Sequence, residues 1–274
     1  MRPSGLILAL SLVLLAFGPA CRDAAPADPI PAHETFRLSS KLLAEDRVIN
    51  VYLPPAYAGL PEQAFRIVYM PDGGIGEDFP HIVNTLAALD AEGAIDPVIV
   101  VGIENTQRRR DMTGPTSVAK DREIAPVVGG SAAFRAFVRD ELMPEVARRY
   151  RGNGDTAIVG ESAAGLFIME TFLLEPTLFD TYIALSPSLW WNDHALVRGA
   201  AESIRKTAGL GLTLYLGSAD ETDVYPHTDA LAAILEKEAP ADLNWNYQPR
   251  RDLKHATIYR AMAGPAFRQV FAAK

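Results

Sequence analysis

Only one cysteine, Cys21, stands among the 274 residues, so no disulfide can close within the chain even where a compartment would permit one. Histidine is nearly as scarce. His33, His81, His194, His227 and His255 are all there is, with no pair at metal-ligand spacing, and no phosphate-cradling glycine loop leads into a helix. The sequence therefore implies neither a metal nor an organic cofactor. Positive charge is in deficit: 26 Lys and Arg face 34 Asp and Glu, a net charge of -8. That balance argues against a general binder of nucleic acid or of anionic membranes. Long apolar runs are missing too. The greasiest stretch, Leu6 to Phe17, falls well short of the ~20 residues a spanning helix needs. Neither an internal repeat nor a low-complexity region is visible. What remains is ordinary globular material, 49% hydrophobic and 22% charged, enough to bury a sizeable core.

Residues 1–20 read as an export signal, with Arg2 at the start, the greasy run in the middle and Gly18-Pro19-Ala20 at the end. Cys21 follows directly and has two readings. Either it is acylated, as the N-terminus of a membrane-tethered bacterial lipoprotein, or it is an incidental residue left by ordinary signal peptidase. Residues 21–34, with Pro26, Pro29 and Pro31, read as an extended tether, and 35–274 as a single catalytic domain. The expectation is an exported protein, periplasmic or extracellular, with or without a lipid anchor.

Within that domain, Thr35–Leu38 and Arg47–Leu53 have the mixed pattern of a half-buried hairpin. Further strands are predicted at Arg66–Met70, Val98–Ile103, Thr156–Val159, Tyr182–Leu185, Thr213–Leu216 and Leu243–Tyr247. Helices are predicted over Asp78–Ala91, Ser131–Tyr150 (capped by Ser131), Leu166–Leu174, Leu196–Lys206, Thr228–Glu238 and Pro265–Phe271. Glu104–Gly130 reads as a long functional loop. Buried strands alternating with amphipathic helices predict an α/β fold, a mostly parallel sheet with helices on both faces.

The chemistry concentrates at residues 160–165, Gly-Glu-Ser-Ala-Ala-Gly, between a β-branched strand and a helix. A serine among small residues at a strand-to-helix turn is the nucleophile elbow of serine hydrolases, G-x-S-x-G, with Ala164 where the last glycine belongs. The alternative is an ordinary connection with Ser162 as an N-cap. Ligands bind at the carboxyl ends of parallel strands, and elbow enzymes take their partners in the order serine, acid, histidine. His255 follows the last strand and is the candidate base. The loop after Thr213–Leu216 offers Asp220 as first choice of acid, Glu221 as second and Asp223 as third. Oxyanion donors are expected from the Ala163 amide and, in the Asp72-Gly73-Gly74 turn, from Gly74. Asn105 and Arg110, in the loop after Val98–Ile103, and Trp190 and Trp191, after Tyr182–Leu185, are candidates to line the pocket.

From Val48 to His255 the chain resembles the esterase D-like branch of the α/β-hydrolase fold. That branch includes siderophore esterases, S-formylglutathione hydrolase-like enzymes, feruloyl and acetylxylan esterases, and mycolyltransferase relatives. The segments that carry the resemblance are R-V-I-N-V-Y-L-P-P, Y-M-P-D-G-G, V-G-I-E-N-T-Q-R-R-R-D-M-T, G-E-S-A-A-G-L-F, S-P-S-L-W-W and K-H-A-T. Their order and spacing are more specific than any one alone. The resemblance implies Ser162 as nucleophile, His255 as general base, and Gly74 with Ala163 as the oxyanion hole. Two departures stand out: Ala164 replaces a glycine, and Glu161 replaces the histidine common beside the serine. Glu161 thus puts a carboxyl at the site, where it can alter substrate preference or raise the His255 pKa. The expected function is hydrolysis of a small-molecule ester through an acyl-enzyme. The competing readings are a non-catalytic ligand-binding lipoprotein of the same fold, and an acyltransferase or peptidase using the same triad.

Overall fold

The computed structural model describes residues 27–273, so the segment expected to be an export signal, and Cys21, lie outside the described residues. Eight strands form one sheet: β1 (Glu34–Ser40), β2 (Glu45–Tyr52), β3 (Phe65–Pro71), β4 (Val98–Ile103), β5 (Gly152–Glu161), β6 (Thr181–Leu185), β7 (Thr213–Ala219) and β8 (Asn244–Arg250). Their spatial order is β1-β2-β4-β3-β5-β6-β7-β8. β2 runs antiparallel to both neighbours, and β4 through β8 with β3 are mutually parallel. This is the mostly parallel α/β-hydrolase arrangement the sequence predicts.

Alternation along the central strands splits the core in two. Ile67, Tyr69 and Ile158 point to one face, where they meet Phe134, Phe137, Val138 and Phe167. Val68, Met70, Ala157 and Val159 point to the other, against Phe79, Ile82, Val83, Ile258 and Phe267. β4, V-I-V-V-G-I, is buried at every position, as befits a strand covered on both sides.

Several helices differ from their sequence-based bounds. Ser131 is the first helical residue rather than the cap, because Gly130 takes the N-cap position. The same helix continues to Arg149 through a π-turn at Val138–Leu142. Pro144 explains the irregularity, since it has no N–H for the carbonyl four residues back. The loop after β4 contains two short helices, Arg108–Met112 and Ala119–Arg122. Trp191–Arg205 begins with Asn192, Asp193 and His194 in left-handed geometry (φ 49°, 51° and 48°). The largest difference is at the C-terminus. The last helix spans His255–Val270 and carries Pro265 inside it, so the proline is not a start signal. The carbonyl that Pro265 leaves unbonded belongs to Ala261, which is exposed and can be satisfied by water.

Part of the segment expected to be a tether is fastened to this helix and its neighbour. Asp28 pairs with Arg260 (3.0 Å), and the Asn84 side chain donates to the Pro29 carbonyl (2.8 Å).

Candidate active site

The turn after β5 brings strand and helix backbones together, and its residue types follow from that crowding. Ser162 has φ 61° and ψ -117°, a conformation costly for any residue with a Cβ. A Cβ on Gly160 would sit 2.7 Å from the Ala164 methyl, and one on Gly165 would sit 3.1 Å from Pro187 Cα. Ala164 is therefore tolerated because Gly160 leaves the space its methyl fills. Helix Ala163–Leu174 starts at the residue after the serine, so the Ala163 amide is among the first-turn donors with no partner inside the helix.

His255 is the first residue of its helix and reaches across to the elbow. Its Nε2 lies 2.9 Å from Ser162 Oγ. The same nitrogen is 3.0 Å from Glu161 Oε1. That oxygen is buried, makes no hydrogen bond, and so lies off the direction in which a ring N–H would point. On the far side of the ring, His255 Nδ1 is buried without a hydrogen-bond partner.

Of the three candidate acids, two are engaged elsewhere and the third, Asp223, is exposed. The Asp220 carboxylate pairs with Lys254 (2.9 Å) and does not reach the imidazole. Glu221 accepts the main-chain N–H of His255 at 3.0 Å, which fixes the start of the helix rather than the ring nitrogen. The Asp220 amide donates to the Leu253 carbonyl (2.9 Å), so the loop after β7 is tied to the segment ahead of His255 by main chain as well. Burial holds the His255 pKa below its ordinary value; the charges of Glu221 and Asp223 oppose this, while Arg108 and Arg109 add to it.

On the other side of the serine, Asp72 adopts φ 56° at the end of β3. Gly73 packs against β4 so closely that a Cβ would meet Ile103 N at 2.2 Å. The Gly74 N–H, the second expected oxyanion donor, is taken by Glu77 Oε2 at 2.7 Å. Asn105 Nδ2 ties Glu77 (2.8 Å) to Asp72 (2.6 Å), and Arg108 forks onto both Asp72 oxygens (2.6 and 2.7 Å). Asp72 and Asn105 thus build the wall of the site. Sequence reasoning missed Glu77; its only signal was a carboxylate three residues past the P-D-G-G turn.

Burial lifts the Glu161 carboxyl to about 8; Arg108 pulls it down, while Asp78 and Asp72 push it up. Asp78 behaves likewise, raised to about 6 by burial and by Asp72. Tyr259, one turn along the helix from His255, is buried behind these groups and its hydroxyl has no partner.

The three consecutive arginines divide their work. Arg108 is neutralised by Asp72, and Arg110 by Glu45 (2.6 Å) and Asp111 (2.7 Å), which ties Arg110 to β2 as a structural group. Arg109 is half-buried and forms no ion pair among the described residues. All three line an open cleft of about 330 Å³ with Pro126 and Val127. The tryptophans also part: Trp190 is half-buried, while Trp191 is buried and donates Nε1–H to the Gly114 carbonyl (2.8 Å). The cavity of about 180 Å³ beside Trp191 is lined by Leu166, Glu170 and Asn192, and by neither Ser162 nor His255.

Known proteins share this framework. The ferri-bacillibactin esterase BesA of Bacillus subtilis is 29% identical over 177 residues, 60% of this chain and 61% of that protein. The match thus spans about three fifths of the relative's length. A siderophore triacetylfusarinine C esterase of Aspergillus fumigatus is 36% identical over 98 residues, 34% of this chain and 32% of the relative. The crystal structure of an IroE-like serine hydrolase from Shewanella oneidensis superposes with a TM-score of 0.79 at 28% identity, covering 88% of this chain and 80% of that one. The model of the family described as "Putative esterase" matches residues 40–254, from the end of β1 to the residue before His255. On that match, the chain belongs to this esterase family.

Proposed function

We propose that the protein is a serine esterase in which Ser162 attacks an ester carbonyl and His255 takes its proton. The observation that carries this reading is the 2.9 Å contact of Ser162 Oγ with His255 Nε2, made by a serine on a strained turn. As Oγ bonds to the carbonyl carbon, its proton passes to Nε2 and then to the departing alcohol; water clears the acyl-enzyme with His255 again as base. The oxyanion is received by the Ala163 amide, and by the Gly74 amide once the Glu77 carboxylate has yielded it. With Nδ1 unpartnered and Glu221 on the main chain of His255, the site works as a Ser–His dyad. Glu221 positions the base, and Asp223 contributes only its field.

The substrate class we assign is a siderophore ester. Two observations support it: two of the relatives named above are the ferri-bacillibactin esterase and a siderophore triacetylfusarinine C esterase, and Arg109, beside the site and without an ion pair among the described residues, suits an anionic substrate. An exported location, with residues 1–20 as the signal, belongs to the same proposal. A fluorophosphonate probe should label Ser162, and hydrolysis of ferri-bacillibactin, followed by chromatography, should vanish in Ser162→Ala and His255→Ala. Hydrolysis surviving in both variants would overturn the mechanism. Cleavage of short-chain esters with ferri-bacillibactin untouched would leave the mechanism standing and remove the substrate.

A further inference from the structure

The carboxyl beside the nucleophile has no role in the scheme above, yet one of its oxygens lies 3.0 Å from the nitrogen that receives the catalytic proton. That oxygen has no hydrogen-bond partner, and the opposite ring nitrogen has none either. We propose that Glu161 is a positioning residue for His255: in its ionised form it holds the imidazolium from the Nε2 side, where triad enzymes hold it from the Nδ1 side.

This inference rests on the Ser162–His255 chemistry proposed above. In the acylation step, the Ser162 O–H bond breaks, the Oγ–carbonyl bond forms, and the proton arrives on Nε2. The new positive charge then faces the Glu161 carboxylate at ion-pair distance, in a pocket where Glu161 is only 15% exposed. Because Oε1 lies off the N–H direction, the proton stays aimed at the serine or the leaving group. Glu161 therefore steadies the cation without capturing the proton, which passes to the departing alkoxide. Glu161 ends the step as it began, as a carboxylate.

Every charged group around the pair bears on when Glu161 is ionised. Arg108 favours the carboxylate; Asp72 and Asp78 oppose it, as does burial, and Tyr259 is neutral behind them. His255 itself feels Glu221 and Asp223 from the loop after β7, and Arg108 and Arg109 from the loop after β4. With Glu161 titrating at about 8, its support is withheld below that pH and supplied above it. An opposite charge at such range typically shifts a titration by about 1–3 units, so the effect on acylation should be about tenfold or more.

The test is the pH dependence of fluorophosphonate labelling and of kcat/KM on a short-chain ester, in wild type and Glu161→Gln. The ratio of wild type to variant should grow about tenfold or more from pH 6 to pH 9, and the wild-type limb near pH 8 should disappear in the variant. A ratio that is the same at every pH would reduce Glu161 to a structural group and overturn the inference, as would a limb that persists in the variant. Should Glu161→Gln fail to fold, the wild-type profile alone decides, since the absence of a limb near pH 8 sinks the idea. Ser162→Ala runs alongside. If it retains activity, the Ser–His reading has failed; if it is inactive and the ratio is flat, only the role of Glu161 has failed.

Discussion

The loops that follow β5 and β7 lie on the same edge of the sheet, two strands apart, and are built on different principles. After β5 the main chain decides everything: Gly160 against Ala164, Gly165 against Pro187, and Ser162 forced to φ 61°. After β7 the side chains decide, since Asp220 goes to Lys254 and Glu221 to the His255 amide. Steric demands of the first kind leave their mark on residue size and so can be read from sequence. Pairings of the second kind depend on which distant partner lies within reach, and three neighbouring carboxylates look alike until the fold is known.

The sharpest way to break this contrast is to remove groups on each side. His255→Ala should lower kcat/KM about 10⁴-fold or more, as loss of a catalytic base does. Asp220→Asn should change it less than about threefold, because an exposed pair with Lys254 contributes little. Steady-state kinetics on one ester decides the matter, and a loss in Asp220→Asn comparable to that in His255→Ala would restore the triad.

Next in size is the energetic cost of the carboxyl at the elbow. Glu161 has its pKa raised from 4.5 to about 8 on folding, so its favourable contribution is complete below about pH 4.5 and lost as pH rises through 8. Glu161→Gln, which stays neutral, should match wild type in stability at pH 4 and exceed it at pH 9 by roughly 5 kcal/mol. Thermal melts across this range would show a gap that opens above about pH 4.5 and reaches roughly ten degrees or more once the pH has passed 8.

A smaller effect is expected where the Gly74 amide is covered. Glu77→Ala removes the 2.7 Å charge-assisted bond to the Gly74 amide that, in the proposed mechanism, the oxyanion displaces. Fluorophosphonate labelling should speed up by roughly two- to tenfold, a fraction of what such a bond contributes. Slower labelling would mean that Glu77 matters more for holding Asn105 than for covering the amide. Smallest of all, Ala164→Gly should leave kcat within about twofold of wild type and cost ~1 kcal/mol of stability through lost helix propensity, measured by urea denaturation.

Much of the fold was legible because hydrophobic period and turn residues agree along most of the chain. β4 was bounded to the residue, and the apolar stripe Phe79, Ile82, Val83, Leu86 and Leu89 is buried as its spacing requires. Legibility failed where one residue type serves two purposes. Pro265 has the signature of a helix start, and its place in the last third of His255–Val270 depends on an exposed carbonyl that water can satisfy. Order after the last strand singles out His255 as the candidate base, but nothing local marks it as the first residue of a helix. The polar wall of the site, Asp72 with Arg108, Asn105 and Glu77, joins residues more than thirty positions apart. No local pattern encodes that closure.

The contact between Gly160 and Ala164 also has an evolutionary reading. With 2.7 Å between the Ala164 methyl and a Cβ placed on Gly160, the pair holds room for one Cβ and not two. A lineage can carry glycine at both positions, or exchange which of them bears the methyl, only by way of the double-glycine form; a direct step through alanine at both is closed. The two sites should therefore drift as a linked couple, each setting what the other is free to become.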